Sequence, residues 1–573
     1  MASFKLLPLL LLCLSSPFLV VPTSSADVSP STSLVSAGSM CQSAPDPKYC
    51  RSVLPTYNSS ADGYFYGRYV VRKSLSQSRR FLNLIDKYLA KRSSLTTTVV
   101  RALEDCRFLA ALNMDFLSTS FQTVNSTSKI LPVLTADDIW TLLSAILTNE
   151  QTCLDGLEDT ASAWSVTKGI AAPLANDTKL YSVSLAFFNK VWVPKKKRAA
   201  PSSVWMTSAS MRKRFALSHG QLSFTMSQKT RAVYESARAK RRLLQTGNDV
   251  NPVLVSDIVV VDKNGTGNFT TINDAISAAP NNSDSSAGYF LIYVMGGRYE
   301  EYISIAKNKR YLMMIGDGIN QTIITGSRSV VDGWTTFNSA TFAVVAPNFV
   351  AVNITFQNTA GAVKHQAVAV RNGADLSTFY SCSFEGYQDT LYTHSLRQFY
   401  RECDIYGTVD FIFGNAAVVF QDCNLYPRLP MRGQFNAITA QGRTDPNQNT
   451  GTSIHNCKIK PADDLASSNT TVQTYLGRPW KEYSRTVYMQ SYMDGFINPV
   501  GWREWNDTFA LSTLYYAEYN NTGPGSNTTN RVTWPGCHLI NNATNVANFT
   551  VSTFLVGDSW LPQTGVPYNG GLL

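Results

Sequence analysis

The sequence contains 573 residues and carries a formal net charge of +10, with a pI near 9.0. Hydrophobic residues make up 44% of the chain and charged residues 16%, which excludes an intrinsically disordered protein and indicates a globular one. The length exceeds that of one ordinary domain, so two or three domains are expected.

Residues 1–26 are predicted to be a secretory signal peptide. Lys5 precedes an apolar run, and small residues ending in T-S-S-A follow it. A membrane anchor is the competing interpretation, but Pro8 and Pro17 interrupt the run, and no later apolar stretch reaches about 18 residues. We expect a secreted, extracellular protein that is not membrane-bound in its mature form. Ten cysteines and many N-x-[ST] sequons are compatible with disulfides and glycosylation in an oxidising compartment.

Residues 27–192 are predicted to form an all-α four-helix bundle. Apolar residues recur at three- and four-residue steps in four segments, and the joints carry Ser, Thr, Asn, Asp and Pro. Short joints favour an up-and-down bundle. Cys41 and Cys50 are close enough for a local loop, and Cys106 and Cys153 lie on successive helices. We therefore predict disulfides within these two pairs.

Two short motifs in the bundle, P-K-Y-C at 47–50 and A-L-E-D-C at 102–106, carry a family resemblance. With them the region is similar to the pectin methylesterase inhibitor family. The resemblance implies an autoinhibitory pro-region. A bundle that only assists folding or sorting is the alternative.

Residues 193–246 are predicted to be a basic linker. They contain thirteen Lys or Arg and one acidic residue, Glu235, a net charge of +12. Residues 247–573 contain 20 basic and 25 acidic residues, a net charge of −5, so the positive charge belongs to the linker. Because no groove-reading motif accompanies it, we expect no nucleic-acid partner.

The linker ends in a basic pair followed by two leucines: Arg241, Arg242, Leu243 and Leu244. Basic pairs in exposed linkers are natural protease sites. R-R-L-L also resembles the processing motif that lies between inhibitor-like and catalytic regions, which implies a subtilisin-like processing protease as a partner. A solvated charge run is the alternative, and a second cut near Lys197 or Arg214 stays open.

Residues 247–573 are predicted to form an all-β right-handed parallel β-helix. Short β-branched and aromatic runs alternate with Gly, Asn and Asp, and a short amphipathic helix near the start is expected to cap the stack. A β-sandwich would have more Asn-Gly and Asp-Gly hairpin turns. The sequence has no C-x-x-C or H-E-x-x-H pattern, so neither a metal nor another cofactor is predicted.

A repeat within this region predicts a pair of carboxylates. Cys382, Cys403 and Cys423 are 21 and 20 residues apart, and Asp389 and Asp410 each lie 7 residues after their cysteine. If each repeat is one coil, the two Asp are vertical neighbours at roughly 4.8 Å. One of two such close carboxyls holds its proton more tightly, so the pair can supply an acid and a nucleophile or base. Two turn residues on a solvated rim are the alternative.

Two motifs in this repeat, G-Y-Q-D-T-L-Y at 386–392 and D-F-I-F-G-N-A at 410–416, occur in order and spacing. They closely resemble the plant pectin methylesterase (pectinesterase) signature. The resemblance implies hydrolysis of galacturonate methyl esters in cell-wall pectin, with release of methanol. On these positions it implies that Asp410 is the nucleophile and Asp389 the proton donor and base.

Residues on other coils complete the expected site. Gln388 and Gln366, about one coil apart, would donate two amides to the oxyanion, with Gln388 as the transition-state stabiliser. Arg478 would orient Asp410 and keep its pKa low. The resemblance implies contacts with the polymer from four residues: Thr336, Gln366, Arg478 and Trp480.

Cys403 and Cys423, one coil apart, are the best disulfide candidates in this half. Cys382, Cys457 and Cys537 have no evident partner. The expected partners of the protein are methyl-esterified pectin and possible inhibitor proteins. A pectate lyase, a polygalacturonase, and a wall protein whose bundle binds another esterase are the rival hypotheses.

Overall fold

The computed structural model describes residues 34–55, 60–160, 163–195 and 253–573, with six further positions between 224 and 235. The predicted signal peptide at 1–26, most of the basic linker and the processing residues 241–244 lie outside the described residues. The domain boundaries inferred from the sequence stay predictions.

The N-terminal region is a bundle of helices. Two short helices, α1 (Ala37–Cys41) and α2 (Pro47–Val53), precede four long ones: α3 (Gly63–Leu89), α4 (Thr97–Asn125), α5 (Val133–Glu158) and α6 (Trp164–Val191). Helix α3 packs on α4 and α6, and α5 packs on the same two helices, which closes the predicted four-helix bundle. Both predicted disulfides are present, Cys41–Cys50 between α1 and α2 and Cys106–Cys153 between α4 and α5.

Local sequence sets the start of two of the long bundle helices, α3 and α4. The side chains of Asp62 and Thr96 accept hydrogen bonds from the backbone N–H groups of Phe65 and Val99, which satisfies one otherwise unpaired donor in each first turn. The apolar stripe of each helix then faces the bundle interior.

The C-terminal region is a stack of parallel coils. Within the described residues, 27 strands form three sheets, and every strand pairs with its neighbours in parallel. The twelve-stranded sheet runs through β1 (Phe224–Thr225), β2 (Val253–Val261), β3 (Tyr289–Val294), β6 (Leu312–Gly316), β9 (Val350–Val352), β12 (Ser377–Tyr380), β15 (Arg397–Arg401), β18 (Ala417–Gln421), β21 (Gly451–His455), β24 (Arg485–Met489), β26 (Tyr515–Tyr519) and β27 (Cys537–Leu539).

The other two sheets form the remaining faces of the stack. The eight-stranded sheet runs through β25 (Tyr492–Met493), β22 (Lys458–Ile459), β19 (Asn424–Pro427), β16 (Asp404–Gly407), β13 (Ser383–Glu385), β10 (Thr355–Asn358), β7 (Thr322–Gly326) and β4 (Gly297–Glu300). The seven-stranded sheet runs through β23 (Thr474–Gly477), β20 (Asn436–Gln441), β17 (Ile412–Gly414), β14 (Leu391–Thr393), β11 (Val370–Asn372), β8 (Phe342–Val344) and β5 (Ile303–Ile305). The predicted parallel β-helix, preceded by an all-α bundle, is confirmed.

The predicted coil register is also confirmed. Phe384 pairs with Ile405, and Ile405 pairs with Leu425, so residues 21 and 20 apart are vertical neighbours. Helix α7 (Ile272–Ala278) follows β2 and packs its apolar face on the core at one end of the stack, as expected of a capping helix. Three further short helices, α8 (Asp463–Ala466), α9 (Ala543–Val546) and α10 (Val551–Phe554), lie outside the coils.

Cys403 and Cys423 are free thiols, so the predicted disulfide between them is wrong. They belong to a ladder of buried cysteines in the core: Cys382, Cys403, Cys423 and Cys457. Side chains at equivalent positions of parallel coils leave the backbone in the same direction, whereas a disulfide needs Cβ vectors that converge. The Cys403 Sγ instead donates to backbone carbonyls, at 3.3 Å from Arg401 O and 3.4 Å from Phe379 O.

The bundle packs on one side of the β-helix. One buried apolar cluster contains Phe81, Leu103 and Leu157 of the bundle together with Tyr392 and Phe413 of the β-helix. Across the described part of the chain, no helix combines the length and apolar character that a membrane span requires.

Candidate active site

Asp389 and Asp410 lie side by side on neighbouring coils. The strands that follow them, β14 and β17, pair with Leu391 opposite Ile412. The amide N of Asp389 donates to the carbonyl O of Val409 at 3.1 Å. Both Asp adopt a positive φ, 61° and 53°, a conformation that Asp tolerates better than most residues. The two carboxyls therefore leave their coils at the same phase of the repeat.

Arg478 binds one of the two carboxyls. Its Nε donates to Asp410 Oδ1 at 2.8 Å and its Nη2 to Asp410 Oδ2 at 2.6 Å, a bidentate pair. The guanidinium carbon lies 4.1 Å from the ring centroid of Trp505. Asp410 is thus held in one orientation, as the sequence suggested, while Asp389 has no such partner among the described residues.

The surroundings raise the pKa of both carboxyls, but the neighbouring charges act on the two in opposite directions. Burial raises the pKa of Asp389 well above its usual range, and the negative charge of Asp410 raises it further. Burial also raises the pKa of Asp410, but there the bound Arg478 opposes the rise. Arg478 lowers the pKa of Asp410, as expected, but the expected low net pKa is wrong, because burial outweighs the ion pair. Of the two carboxyls, Asp389 has the pKa that is raised further.

Both carboxyls face a cavity of about 520 Å³. The other predicted site residues also line it: Thr336, Gln366, Gln388, Arg478 and Trp480. The amide N of Ala367 donates to the carbonyl O of Gln388 at 3.2 Å, so Gln366 and Gln388 are on adjacent coils, as their spacing predicted. The strand register therefore places all the predicted catalytic and substrate-binding residues around one cavity.

The aromatic wall of the cavity consists of Trp480, which was predicted, and of Tyr392 and Phe413, which were missed in the sequence. Tyr392 and Phe413 stack with centroids 4.2 Å apart, and both contact the ring of Trp480 edge-on. Each lies 3 residues after its Asp, so the matched phase that identified Asp389 and Asp410 also contained this signal. The wall is an apolar surface beside the carboxyls.

Comparison with known proteins identifies the family. A family model described as Pectinesterase matches residues 258–558. The chain belongs to the pectinesterase family. Two Arabidopsis thaliana proteins, described as "Probable pectinesterase/pectinesterase inhibitor 7" and "Probable pectinesterase/pectinesterase inhibitor 41", are each 66% identical to it, over 95% and 94% of this chain and 96% and 95% of their own lengths.

A solved structure and a second family model define the two parts of this pectinesterase. The structure described as "Pectin methylesterase from Carrot" is 51% identical with a TM-score of 0.54, and it covers 57% of this chain and 100% of its own. A model described as Plant invertase/pectin methylesterase inhibitor matches residues 36–187. The chain is a plant pectin methylesterase with an N-terminal inhibitor-like bundle.

The inhibitor-like bundle covers the cavity of the pectinesterase region. Thr152, Asp155 and Asp159 of the bundle line it opposite the two catalytic candidates. Lys481 Nζ lies 2.8 Å from Asp155 Oδ1, and Thr152 Oγ1 lies 3.0 Å from His394 Nε2. No local sequence pattern predicts these contacts, because they join residues more than 200 positions apart on unrelated elements.

A second carboxyl of the bundle, that of Asp105, contacts the β-helix beside the cavity. Asp105 accepts hydrogen bonds from Thr335 Oγ1 and Asn338 Nδ2, and burial raises its pKa to about 7. The buried guanidinium of Arg371 offsets part of that rise. The pectinesterase region therefore meets the bundle through polar contacts as well as through the shared apolar cluster.

Proposed function

We propose that the enzyme hydrolyses the galacturonate methyl esters of pectin with Asp410 as the nucleophile and Asp389 as the acid and base. One observation carries this assignment. The two carboxyls face one cavity, and the guanidinium of Arg478 is bound to Asp410 alone. That asymmetry favours an ionised Asp410 and a protonated Asp389, which are the states that the two roles require.

In the first half of the reaction, the Asp410 carboxylate attacks the carbonyl carbon of the methyl ester. The carbonyl electron pair moves to oxygen, and the side-chain amides of Gln388 and Gln366 stabilise this oxyanion. When the intermediate collapses, the bond to the methoxy oxygen breaks and Asp389 gives that oxygen its proton. Methanol leaves, and the galacturonyl group remains bound to Asp410 as an anhydride.

In the second half, the Asp389 carboxylate accepts a proton from water while the water oxygen attacks the galacturonyl carbon. Collapse of this intermediate breaks the bond to Asp410 and restores its carboxylate. The products are a free galacturonate carboxyl and a protonated Asp389, so the enzyme returns to its starting state. Neither half requires a metal or another cofactor.

The aromatic wall and the polar rim of the cavity hold the polymer. Trp480, Tyr392 and Phe413 present ring faces and edges to a sugar, while Thr336 and Gln366 contribute polar groups at the same opening. Sugar binding on aromatic faces leaves the ester free to approach the carboxyls. The polymer is expected to lie across the coils, along the surface that the bundle covers.

The pH profile of kcat/KM should move to higher pH when Arg478 is replaced by Gln. Activity rises with pH as Asp410 ionises and falls as Asp389 loses its proton. Arg478 lowers the pKa of both carboxyls, so loss of its charge raises both. Both limbs of the profile, measured as methanol release by residues 247–573, are expected to shift upward.

Arg503→Gln provides the matched control for this shift. Arg503 stacks on Phe435, with its guanidinium carbon 4.0 Å from the ring centroid, and it contacts neither carboxyl. Its profile should coincide with that of the unmodified protein. If the pH profile of Arg478→Gln does not move, Arg478 does not set the pKa values of Asp389 and Asp410.

The bundle is proposed to inhibit its own chain until a subtilisin-like protease cuts at Arg241–Leu244. The support is its place over the cavity, with Asp155 and Asp159 on the lining. The mature enzyme is proposed to act outside the cell, in the wall that holds its substrate.

The test of the activity is the product spectrum of residues 247–573 on methylated pectin. The carrot structure matches 57% of this chain over its whole length, which is about the share that residues 247–573 make up. We therefore expect residues 247–573 to fold without the bundle. We expect methanol with no new reducing ends and no unsaturated ends. New reducing ends would indicate a glycosidase and unsaturated ends a lyase, and either result without methanol would overturn the proposal.

A further inference from the structure

Lys481 holds a carboxylate of the bundle at the edge of the catalytic cavity. Its Nζ lies 2.8 Å from Asp155 Oδ1, and the two side chains are only 19% and 20% exposed. Asp155 lines the same cavity as Asp389. Lys481 directly follows Trp480, and its Nζ lies 5.0 Å from the centroid of the Trp480 ring. The pair thus lies at the edge of the cavity, beside the aromatic wall.

Removal of the bundle takes away the partner of this cation. Among the described residues, Asp155 is the one carboxylate within salt-bridge distance of Lys481. Arg478, which lines the cavity, is paired with Asp410 of the β-helix itself, so its partner does not leave with the bundle. Lys481 therefore becomes an uncovered positive charge beside the aromatic wall.

Asp155 fills this position through its charge rather than through a closed hydrogen-bond network. Its Oδ1 accepts from Lys481 Nζ and from Gln151 Nε2, the latter at 2.7 Å. Its Oδ2 is buried and has no hydrogen-bond partner among the described residues. Within the described residues Lys481 is thus the one cation that binds this carboxylate, through a single charge-assisted contact.

We propose that Lys481 is a specificity-determining residue that binds the free carboxylate of a galacturonate unit adjacent to the reacting ester. The inference rests on the proposed function, because the polymer must lie in the cavity that the bundle now covers. The reaction itself makes such carboxylates on the polymer. A cation at this place therefore favours an ester next to units that are already demethylated, and it spreads demethylation in blocks.

The test compares two polymers on residues 247–573: fully methylated homogalacturonan, and the same polymer with half of its esters removed at random by alkali. The expected result is that Lys481→Met lowers the kcat/KM ratio of partly to fully methylated polymer by roughly tenfold, mainly through KM, because a charge-assisted contact is lost. Lys481→Arg should retain most of the preference. Salt should reduce the preference of the unmodified enzyme, because the uncovered pair is screened.

Lys307→Met is the matched control. Lys307 also pairs with a bundle carboxylate, with its Nζ 2.7 Å from Asp115 Oδ2, but it lies outside the catalytic cavity. Its substrate ratio should equal that of the unmodified enzyme. An unchanged ratio in Lys481→Met, or an equal change in Lys307→Met, would overturn the assignment. Absence of methanol from both polymers with the unmodified enzyme would instead refute the proposed function.

A second measurement does not depend on turnover of two substrates. Fully demethylated oligogalacturonate should inhibit the unmodified enzyme competitively, and Lys481→Gln should raise its inhibition constant by roughly tenfold. Since Lys481 is at the surface once the bundle is absent, neither substitution removes a core contact. An inhibition constant that does not change in Lys481→Gln counts against the proposal.

Discussion

Asp410→Asn in residues 247–573 is expected to lower methanol release by a factor on the order of 10⁴ or more, because removal of a nucleophile abolishes the covalent route. The amide has no negative charge with which to attack the ester. It still fills the same volume and offers one oxygen to Arg478, so the coil should remain folded. Initial rates on methylated pectin and thermal unfolding by circular dichroism measure the two effects separately.

Asp389→Asn should lower kcat by a smaller factor, on the order of 10² to 10⁴, because general acid–base catalysis is lost while the nucleophile remains. The matched control is Asp404→Asn. Asp404 lies on β16, on the coil of Asp410, and its Oδ1 accepts from Asn424 Nδ2 at 2.8 Å, away from the cavity. It should retain full activity. Full activity in Asp410→Asn would refute the nucleophile assignment.

The paired carboxyls could be predicted because a β-helix converts sequence distance into vertical contact. Once Cys382, Cys403 and Cys423 fixed the repeat length, the phase of Asp389 and Asp410 followed without knowledge of any other coil. Gln366 followed in the same way. The observed strand register, with Phe384 opposite Ile405, is the physical reason that this reasoning succeeded.

The same reasoning failed where direction or environment mattered more than phase. Equal phase brought Cys403 and Cys423 together, but it also made their side chains parallel, which prevents a disulfide. The sequence identified Arg478 as the partner of Asp410 but contained no measure of burial, which decides the direction of the pKa shift. The contact of Asp155 with Lys481 depends on how two folded units dock, and no local pattern encodes that.

The intact chain is expected to release methanol at least about a hundredfold more slowly than residues 247–573. A tethered inhibitor acts at an effective concentration of about 1 mM, so even a modest interface keeps the site covered. The contacts observed here exceed a modest interface. They include two ion pairs of Arg397 with bundle carboxylates, Nη1 with Asp137 Oδ2 and Nη2 with Asp138 Oδ1, each at 2.8 Å. The measurement compares initial rates before and after a cut at a protease site inserted into the linker.

Charge reversal on the bundle separates inhibition from misfolding of the precursor. Asp137→Lys combined with Asp138→Lys places two cations against Arg397, which is almost completely buried, so the bundle should detach and the uncut chain should gain much of the missing activity. The matched control is Asp86→Lys. Asp86 Oδ1 lies 2.7 Å from Arg107 Nε, and this exposed pair joins two helices of the bundle, away from the β-helix. That variant should stay inhibited. Equal turnover by the intact and cut chains would mean that the polymer reaches Asp410 past the bundle, and the inhibitor-like region would then need another role.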